Sequence, residues 1–299
     1  MAEQPEFKAG IIALAGRPNV GKSTLLNALV GQKVSIVTSK PQTTRHRIMG
    51  IRHEPGCQFV FVDTPGIHLG GKKALNRSLN RAAESALSDV DWIVFVVEAL
   101  KITDEDRTVL EKLASHDNVI LAINKVDKIK DKDALLPFIA QLSEKMAFAA
   151  IVPLSALKGS NTEALLAELR PRLEESPPLF PAEQSSDRGE QFMVAEIVRE
   201  KLMERLRDEL PYSLTVTVDQ YENDGSILKI ASTIWVERDG QKKIVIGQKG
   251  AAIRAIGAAA RSELEQRLDT RIFLELWVKV KDSWADDERS LRQFGIDEQ

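Results

Sequence analysis

Cysteine is nearly absent from this chain. The single one, Cys57, excludes an internal disulfide framework and suits a reducing compartment. It stands before an apolar run and reads as a small buried residue. Histidine is sparse too. His46, His53, His68 and His116 are scattered, so a Cys/His metal centre finds no ligand set. No stretch approaches the roughly 18 apolar residues of a membrane span. The opening Met1-Ala2-Glu3-Gln4-Pro5-Glu6 has no basic n-region and no long apolar stretch, which argues against a signal peptide. Internal repeats, low-complexity tracts and coiled-coil heptads are also lacking. A monomeric, cytoplasmic protein is expected, with peripheral contact on the cytoplasmic face of the inner membrane left open. The net charge of −3 carries no overall sign of nucleic-acid binding.

What is present divides into two parts. The 299 residues suit about two domains, and 43% apolar content supplies two cores. From residue 8 to 173, apolar runs alternate with amphipathic segments, the β-α-β signature of an α/β, doubly wound, mostly parallel sheet. Residues 174–189 hold three prolines (Pro177, Pro178, Pro181), polar side chains and no period, and read as a linker. Residues 190–283 follow another grammar. Phe192 to Leu206 reads as a helix, and Ser213 to Val218 alternates like a half-buried strand. Asn223-Asp224-Gly225 is a turn and Ile227 to Glu237 a second strand. Asp239-Gly240 is another turn, Ala251 to Leu268 a helix, and Arg271 to Lys281 a last strand. The element order is α-β-β-α-α-β, a smaller α+β domain, followed by a tail over 284–299. Between Lys242 and Lys281, nine Lys/Arg meet four Asp/Glu, a local basic excess or an ordinary solvated helix face.

Four short motifs stand at the ends of apolar runs. Gly16-Arg17-Pro18-Asn19-Val20-Gly21-Lys22-Ser23 fits G-x-x-x-x-G-K-[ST] between a strand and a helix. Asp63-Thr64-Pro65-Gly66 closes Gln58 to Val62, and by itself reads first as a plain turn. Asn124-Lys125-Val126-Asp127 follows Val119 to Ile123. Ser155-Ala156-Leu157-Lys158-Gly159 follows Ala149 to Leu154. In this order and spacing the four resemble the translation-factor-like branch of P-loop GTPases.

That resemblance implies GTP and GDP as ligands with Mg²⁺ as cofactor. Gly16, Asn19, Val20, Gly21, Lys22, Ser23, Thr24 and Gly66 would hold phosphates. Ser23 and Asp63 would hold Mg²⁺. Asn124, Lys125, Asp127, Ser155, Ala156 and Leu157 would form the guanine site, with Ala156 meeting the guanine oxygen. The Asp127 carboxylate suits two adjacent guanine donors that adenine lacks. The polar stretch Lys33 to Arg47 lies where a first switch loop belongs, with Gln42, Thr43, Thr44, Arg45 and His46 at its centre. Thr44 is the expected second Mg²⁺ contact and Thr43 the alternative; His46 reads as a solvated loop histidine. With Asp63 just before it, the second switch would begin at Thr64 and run through Pro65, Gly66, Ile67 and Gly70-Gly71-Lys72-Lys73 into the next helix, the paired glycines serving as a hinge. Ile67 stands where Ras-like enzymes keep a water-orienting glutamine, so unassisted hydrolysis should be slow. Asn19 either helps hold K⁺, giving K⁺-stimulated hydrolysis, or only shapes its loop.

The second part carries Gly247-Gln248-Lys249-Gly250 between two helical segments. With Val245-Ile246 before it and Ala251-Ala252-Ile253-Arg254 after it, it resembles a type II K-homology domain, in which such a loop clamps about four single-stranded nucleotides. A simple helix-turn-helix connection is the other reading. The resemblance makes Lys243, Lys249 and Arg254 phosphate contacts, with Gly247, Gln248 and Gly250 as the clamp. Ile246, Ile253 and the neighbouring strand would form an apolar groove for bases. Residues Trp284 to Gly295 either pack back as a short helix or add RNA contacts. A GTPase domain joined to one K-homology domain resembles the Era family of bacterial GTPases over about residues 8 to 295. That implies binding near the 3′ end of 16S ribosomal RNA and a role in assembly of the 30S subunit. Two rivals remain at this level: an RNA-binding module stabilised by GTP, and a GTPase of tRNA modification or protein targeting, whose relatives lack a terminal K-homology domain.

Overall fold

The computed structural model describes residues 7–66, 73–207 and 210–296. Ile67, Gly70 and Gly71 lie outside the described residues. The chain forms two compact units. The first runs to Ser35, resumes at Thr44, and continues from Leu79 to Asp187; the second takes Ile36–Thr43, the segment ending at Ser78, and everything from Arg188.

Elements of the first half are β1 (Lys8–Ala15), α1 (Lys22–Val30), β2 (Ile48–Glu54), β3 (Cys57–Asp63), α2 (Ala74–Ser85), β4 (Trp92–Glu98), α3 (Asp104–Leu113), β5 (Val119–Asn124), α4 (Leu135–Ser143), β6 (Ala150–Pro153), α5 (Thr162–Leu169) and β7 (Glu174–Glu175). The sheet order is β2-β3-β1-β4-β5-β6, with β7 added to β1. All pairs are parallel except β2 on β3 and β7 on β1. β3 and β5 are buried at every position, as expected of strands covered on both faces. Ala13, Phe95 and Leu121 face Ala83 of α2, Val109 of α3 and Phe138 of α4. Alternate residues Ile12, Val94 and Ile120 turn the other way and are also fully buried, as are Leu25 and Leu29 of α1 and Leu165 of α5. All the motif loops leave the carboxyl ends of strands, where open α/β sheets bind ligands.

The segment read as a linker is fastened to this sheet. Glu174 and Glu175 pair with Ala9 and Lys8. The buried Gln58 accepts from the Leu179 and Phe180 amides at 2.8 and 3.0 Å and donates to the Phe180 carbonyl at 2.8 Å. His53 Nε2 lies 2.8 Å from the Gln184 carbonyl, and the Met49 amide donates to Asp187 at 2.8 Å. Proline and the lack of a period forecast no regular element there; they are silent about side chains such as Gln58 that satisfy an irregular backbone.

The second unit contains α6 (Glu190–Arg205), β8 (Leu214–Asn223), β9 (Leu228–Val236), α7 (Asp239–Ile246), α8 (Ala251–Leu268), β10 (Ile272–Val280) and α9 (Glu288–Gln293). Its sheet runs β10-β9-β8, parallel then antiparallel. Asp239-Gly240 is the first turn of α7 rather than a separate turn. Gln241 reaches back to accept from the Glu237 and Arg238 amides at 2.8 and 3.1 Å, which caps the helix start despite the glycine. α8 spans the 18 residues Ala251–Leu268, the bounds expected from the sequence. The tail packs back: Trp284 is fully buried, donates to the Ser213 carbonyl at 3.2 Å, and meets Phe294 edge-on at 5.4 Å. Among the described residues no helix is long and apolar enough to cross a membrane.

The early segments of this unit are held by polar contacts. α6 buries Glu196, Arg199 and Glu200. Arg199 pairs with Glu196 (Nε to Oε1 2.7 Å) and also donates to the Thr43 carbonyl. Glu200 accepts from the Val37 amide at 2.8 Å. The Gln42 amide donates to Asn76 at 2.9 Å, and Asp286 accepts from the Ala74 amide at 2.8 Å.

Candidate functional site

The loop between β1 and α1 is shaped by residues that tolerate positive φ. Gly16, Asn19 and Gly21 have φ of 149°, 63° and 103°. A Cβ on Gly21 would come within 2.4 Å of Asn124 Nδ2, so glycine is required there by space as well as by conformation. Lys22 is 6% exposed and donates to the carbonyls of Gly16 and Arg17 at 2.8 and 3.0 Å. Burial brings its ammonium down to about 8, against the attraction of the Asp63 carboxylate. A phosphate chain in this loop would restore its affinity for the proton.

Three hydroxyls gather on one carboxylate. Asp63 Oδ2 accepts from Ser23 at 2.6 Å, Ser35 at 3.2 Å and Thr44 at 3.3 Å, while Ser23 and Thr44 lie 2.8 Å apart. Asp63 is fully buried, and its Oδ1 has no hydrogen-bond partner. Burial raises this carboxyl, opposed by Lys22 and the three hydroxyls. A buried carboxylate oxygen left without a donor, beside two hydroxyls, fits a hard cation such as Mg²⁺. Ser23, Asp63 and Thr44 therefore converge. Thr43 is elsewhere: its hydroxyl meets Thr38 and the Lys40 carbonyl, both at 2.7 Å. Ser35 was not foreseen; its loop sequence has no period to flag it. Thr64 is buried with its hydroxyl 3.4 Å from the Leu14 carbonyl, and a Cβ on Gly66 would strike Pro18 at 2.7 Å. Arg45 is buried and His46 half-buried.

The loops after β5 and β6 are tied to the loop between β1 and α1. Asn124 donates to the Val20 carbonyl at 2.9 Å and accepts from the amides of Lys125 and Ala156 at 2.7 and 3.0 Å. The Ala156 amide, expected to face guanine, is thus engaged by Asn124. Asp127 is exposed and accepts from Ser155 at 2.6 Å through Oδ1, while Leu157 lies exposed beside them. Lys125 donates to the Asn19 carbonyl at 2.6 Å and to Glu98 at 2.9 Å. Glu98 also accepts from Arg17 at 3.3 Å, and Arg17 donates to the buried Asp106 at 2.9 Å. Burial opposes ionisation of Glu98, but the Lys125 ammonium outweighs it and lowers the carboxyl. Arg17, Glu98 and Asp106 were missed, although Glu98 ends an apolar strand as Asp63 does.

In the second unit, Gly247, Lys249 and Gly250 all have positive φ, and a Cβ on Gly247 would reach 2.6 Å from Ala252. Lys243, Gln248 and Lys249 are exposed. Beyond the loop lies a groove of about 380 Å³ between α8 and β10. Ile253, Gly257, Leu274 and Leu276 give it an apolar floor, and Arg254 and Arg261 add guanidinium groups. Ile246 is not among the residues that line it. The i+3, i+4 and i+7 positions from Arg254 along α8 were the available signal for Gly257, Ala258 and Arg261, which the sequence reading missed.

Comparison with known proteins finds a match in each half of the chain. Residues 11–125 match the family model described as 50S ribosome-binding GTPase, and residues 209–285 match the KH domain model. GTPase Era of Actinobacillus pleuropneumoniae serotype 3 is 54% identical over 295 residues, covering 98% of this chain and 97% of the relative. The chain belongs to the Era family of GTPases. A further relative, GTPase Era of Haemophilus ducreyi, is 54% identical over 298 residues, covering 99% and 98%. The crystal structure of an Aquifex aeolicus Era variant bound to GDP·AlF4⁻ superposes with a TM-score of 0.93 at 39% identity, covering 97% of this chain and 99% of the other. Era in complex with MgGDPNP and nucleotides 1506–1542 of 16S ribosomal RNA gives 0.92 at 38% identity, with the same coverage. The mostly parallel sheet followed by a small K-homology sheet is thus the Era architecture.

Proposed function

We propose that this Era-family chain is a GTP-driven switch whose nucleotide state sets its grip on the 3′ end of 16S ribosomal RNA during 30S subunit assembly. The observation that carries the coupling is the boundary between Thr43 and Thr44. Thr44 joins Ser23 and Asp63, while the carbonyl of Thr43 is held by Arg199 of α6. A ligand that orders Thr44 must therefore act on a backbone that α6 already holds. A solved Era relative that carries MgGDPNP together with 16S ribosomal RNA supports the pairing of the two ligands.

In this reading residues 8–173 form the GTPase domain and 190–283 the K-homology domain. The Gly16–Thr24 loop binds phosphates, and Lys22 holds a proton against the β- and γ-oxygens. Asn124, Lys125, Asp127 and Ser155–Leu157 select guanine. Bound by Ser23, Asp63 and Thr44, Mg²⁺ would neutralise charge on the phosphate oxygens as the terminal phosphoryl group leaves. Ile67 offers no group to orient water, so unassisted turnover is slow, and Asn19 admits K⁺ beside the phosphates. Replacing K⁺ by Na⁺ should slow hydrolysis, and Asn19→Ala should remove the difference. Lys249, Lys243 and Arg254 contact RNA phosphates, while Ile253, Leu274 and Leu276 receive bases. The protein acts as a monomer in the cytoplasm, with peripheral membrane association through its basic surface.

The test is RNA affinity of the intact protein, measured with GDP and with a non-hydrolysable GTP analogue in K⁺ at fixed salt. Tighter binding with the analogue, lost in a Gly247→Asp/Gly250→Asp variant, is the expected result. Equal affinity in both states removes the switch and leaves two independent activities.

A further inference from the structure

The edge strand β10 serves two faces. Ile272 and Val278 enter the core of the second unit, and Leu274, Leu276 and Val280 pack against it. The two-residue period of a strand puts Arg271, Phe273, Glu275, Trp277, Lys279 and Lys281 on the opposite face. There Phe273 is 52% exposed and Trp277 58%, unusual for rings of this size. Register sets Trp277 beside Thr233 and Lys279 beside Trp235 on β9. Lys279 lies 5.6 Å from the Trp235 ring centre and Lys281 4.9 Å from that of Phe294. Phe294 covers the Trp235 end of the face at 5.8 Å, and Phe273 and Trp277 remain beyond that cover.

The composition of this row selects its occupant. Two flat rings stand about 13 Å apart, with a cation at one end and two at the other. Glu275 separates them, and the adjoining β9 positions Ala231 and Thr233 are small. Glu275 keeps the two rings from forming the large contiguous apolar patch that marks a protein or membrane interface. Rings interspersed with cations suit stacked bases joined by phosphates. The same strand lends Leu274 and Leu276 to the groove, so a chain leaving the groove meets this row across one strand edge.

We propose that the outer face of β10 is a second single-stranded RNA surface, on which Phe273 and Trp277 stack bases while Arg271, Lys279 and Lys281 hold the flanking phosphates. The proposal rests on the reading of the Gly247–Gly250 groove as an RNA site and extends it to strands longer than the groove accepts.

The experiment compares two labelled RNAs on the full chain at fixed salt. One is about four nucleotides long and fills only the groove; the other is about sixteen. Phe273→Ala/Trp277→Ala should leave short-strand affinity unchanged and weaken the long strand by about tenfold or more. Phe273→Tyr/Trp277→Tyr, which keeps flat rings, should restore it. Unchanged long-strand affinity overturns the proposal, as does an equal loss for both lengths. Loss of binding to phosphatidylglycerol vesicles with RNA affinity intact would assign the face to a membrane and overturn it as well. Failure of the groove reading shows separately, as short-strand binding that survives Gly247→Asp/Gly250→Asp.

Discussion

The two glycine loops of this molecule stand in opposite surroundings. Gly21 caps α1 and Gly250 caps α8, each in the left-handed region. Both present a helix N-terminus, where backbone N–H groups attract phosphate. Around Gly21 the charges are buried: Lys22, Asp63, Arg17 and Asp106 are all under 9% exposed. Around Gly250 the cations Lys243 and Lys249 stand in solvent. Buried charges interact strongly but need every partner in place, which suits fixed geometry and chemistry. Exposed charges are weaker and screened, which suits reversible capture of a flexible strand.

The sharpest way to separate the loops is to crowd the first. Gly21→Ala should cost about 3 kcal/mol of GDP affinity, roughly a hundredfold, because the new methyl meets Asn124 2.4 Å away. Titration with a fluorescent GDP measures it; near-normal affinity would mean the buried loop adapts as freely as the open one.

Acidity gives a second contrast. Lys22 is brought down to about 8 in the folded, nucleotide-free protein and returns towards its ordinary 10.5 on unfolding. The unfolded chain then holds the proton more tightly, so this residue's contribution makes the nucleotide-free protein more stable as pH rises from about 8 towards 10.5. Nucleotide affinity moves the other way, falling up to about tenfold per pH unit above 8, since binding must restore the proton. Calorimetry at pH 9 in buffers of different ionisation enthalpy should show proton uptake on GDP binding. No uptake would mean that Lys22 keeps its proton throughout.

Smaller effects sharpen the comparison further. Glu98→Gln removes the charge that joins Lys125 to Arg17. The pair is partly solvated, so a loss of about 1 kcal/mol, near fivefold in GDP affinity, is expected. A loss matching that of Gly21→Ala would make Glu98 essential to the site. Gly250→Ala meets nothing nearer than Arg254 at 3.4 Å and bears only the cost of its 76° φ. It should weaken short-strand RNA binding by a few-fold at most; a hundredfold loss would show the open loop to be as constrained as the buried one.

Most of the architecture was legible because it rests on period and motif. The strands β3 and β5 are built on the apolar runs Phe59–Val62 and Val119–Ile123, and α8 starts and ends where the pattern places it. Less legible were polar groups that act on distant backbone. Gln58 anchors the proline-rich segment, Gln241 turns Asp239-Gly240 into a helix start, and Arg199 holds Thr43 across 156 residues. No spacing rule announces such bonds, because their partners are set by the fold.

The sequence by itself determined the local motifs: a glycine-rich turn between strand and helix, a carboxylate at a strand end, Asn124-Lys125-Val126-Asp127, and a second glycine loop at Gly247–Gly250. Each is local, since backbone dihedrals and side-chain identity within a few residues specify it. Only the tertiary structure decided which groups meet. It brought Ser35 and Thr44 to Asp63, joined Glu98 to two loops, and divided the polar stretch Lys33–Arg47 between Thr43 and Thr44. Those meetings depend on burial and on long-range packing, where a polar group must find its partner wherever the fold delivers it.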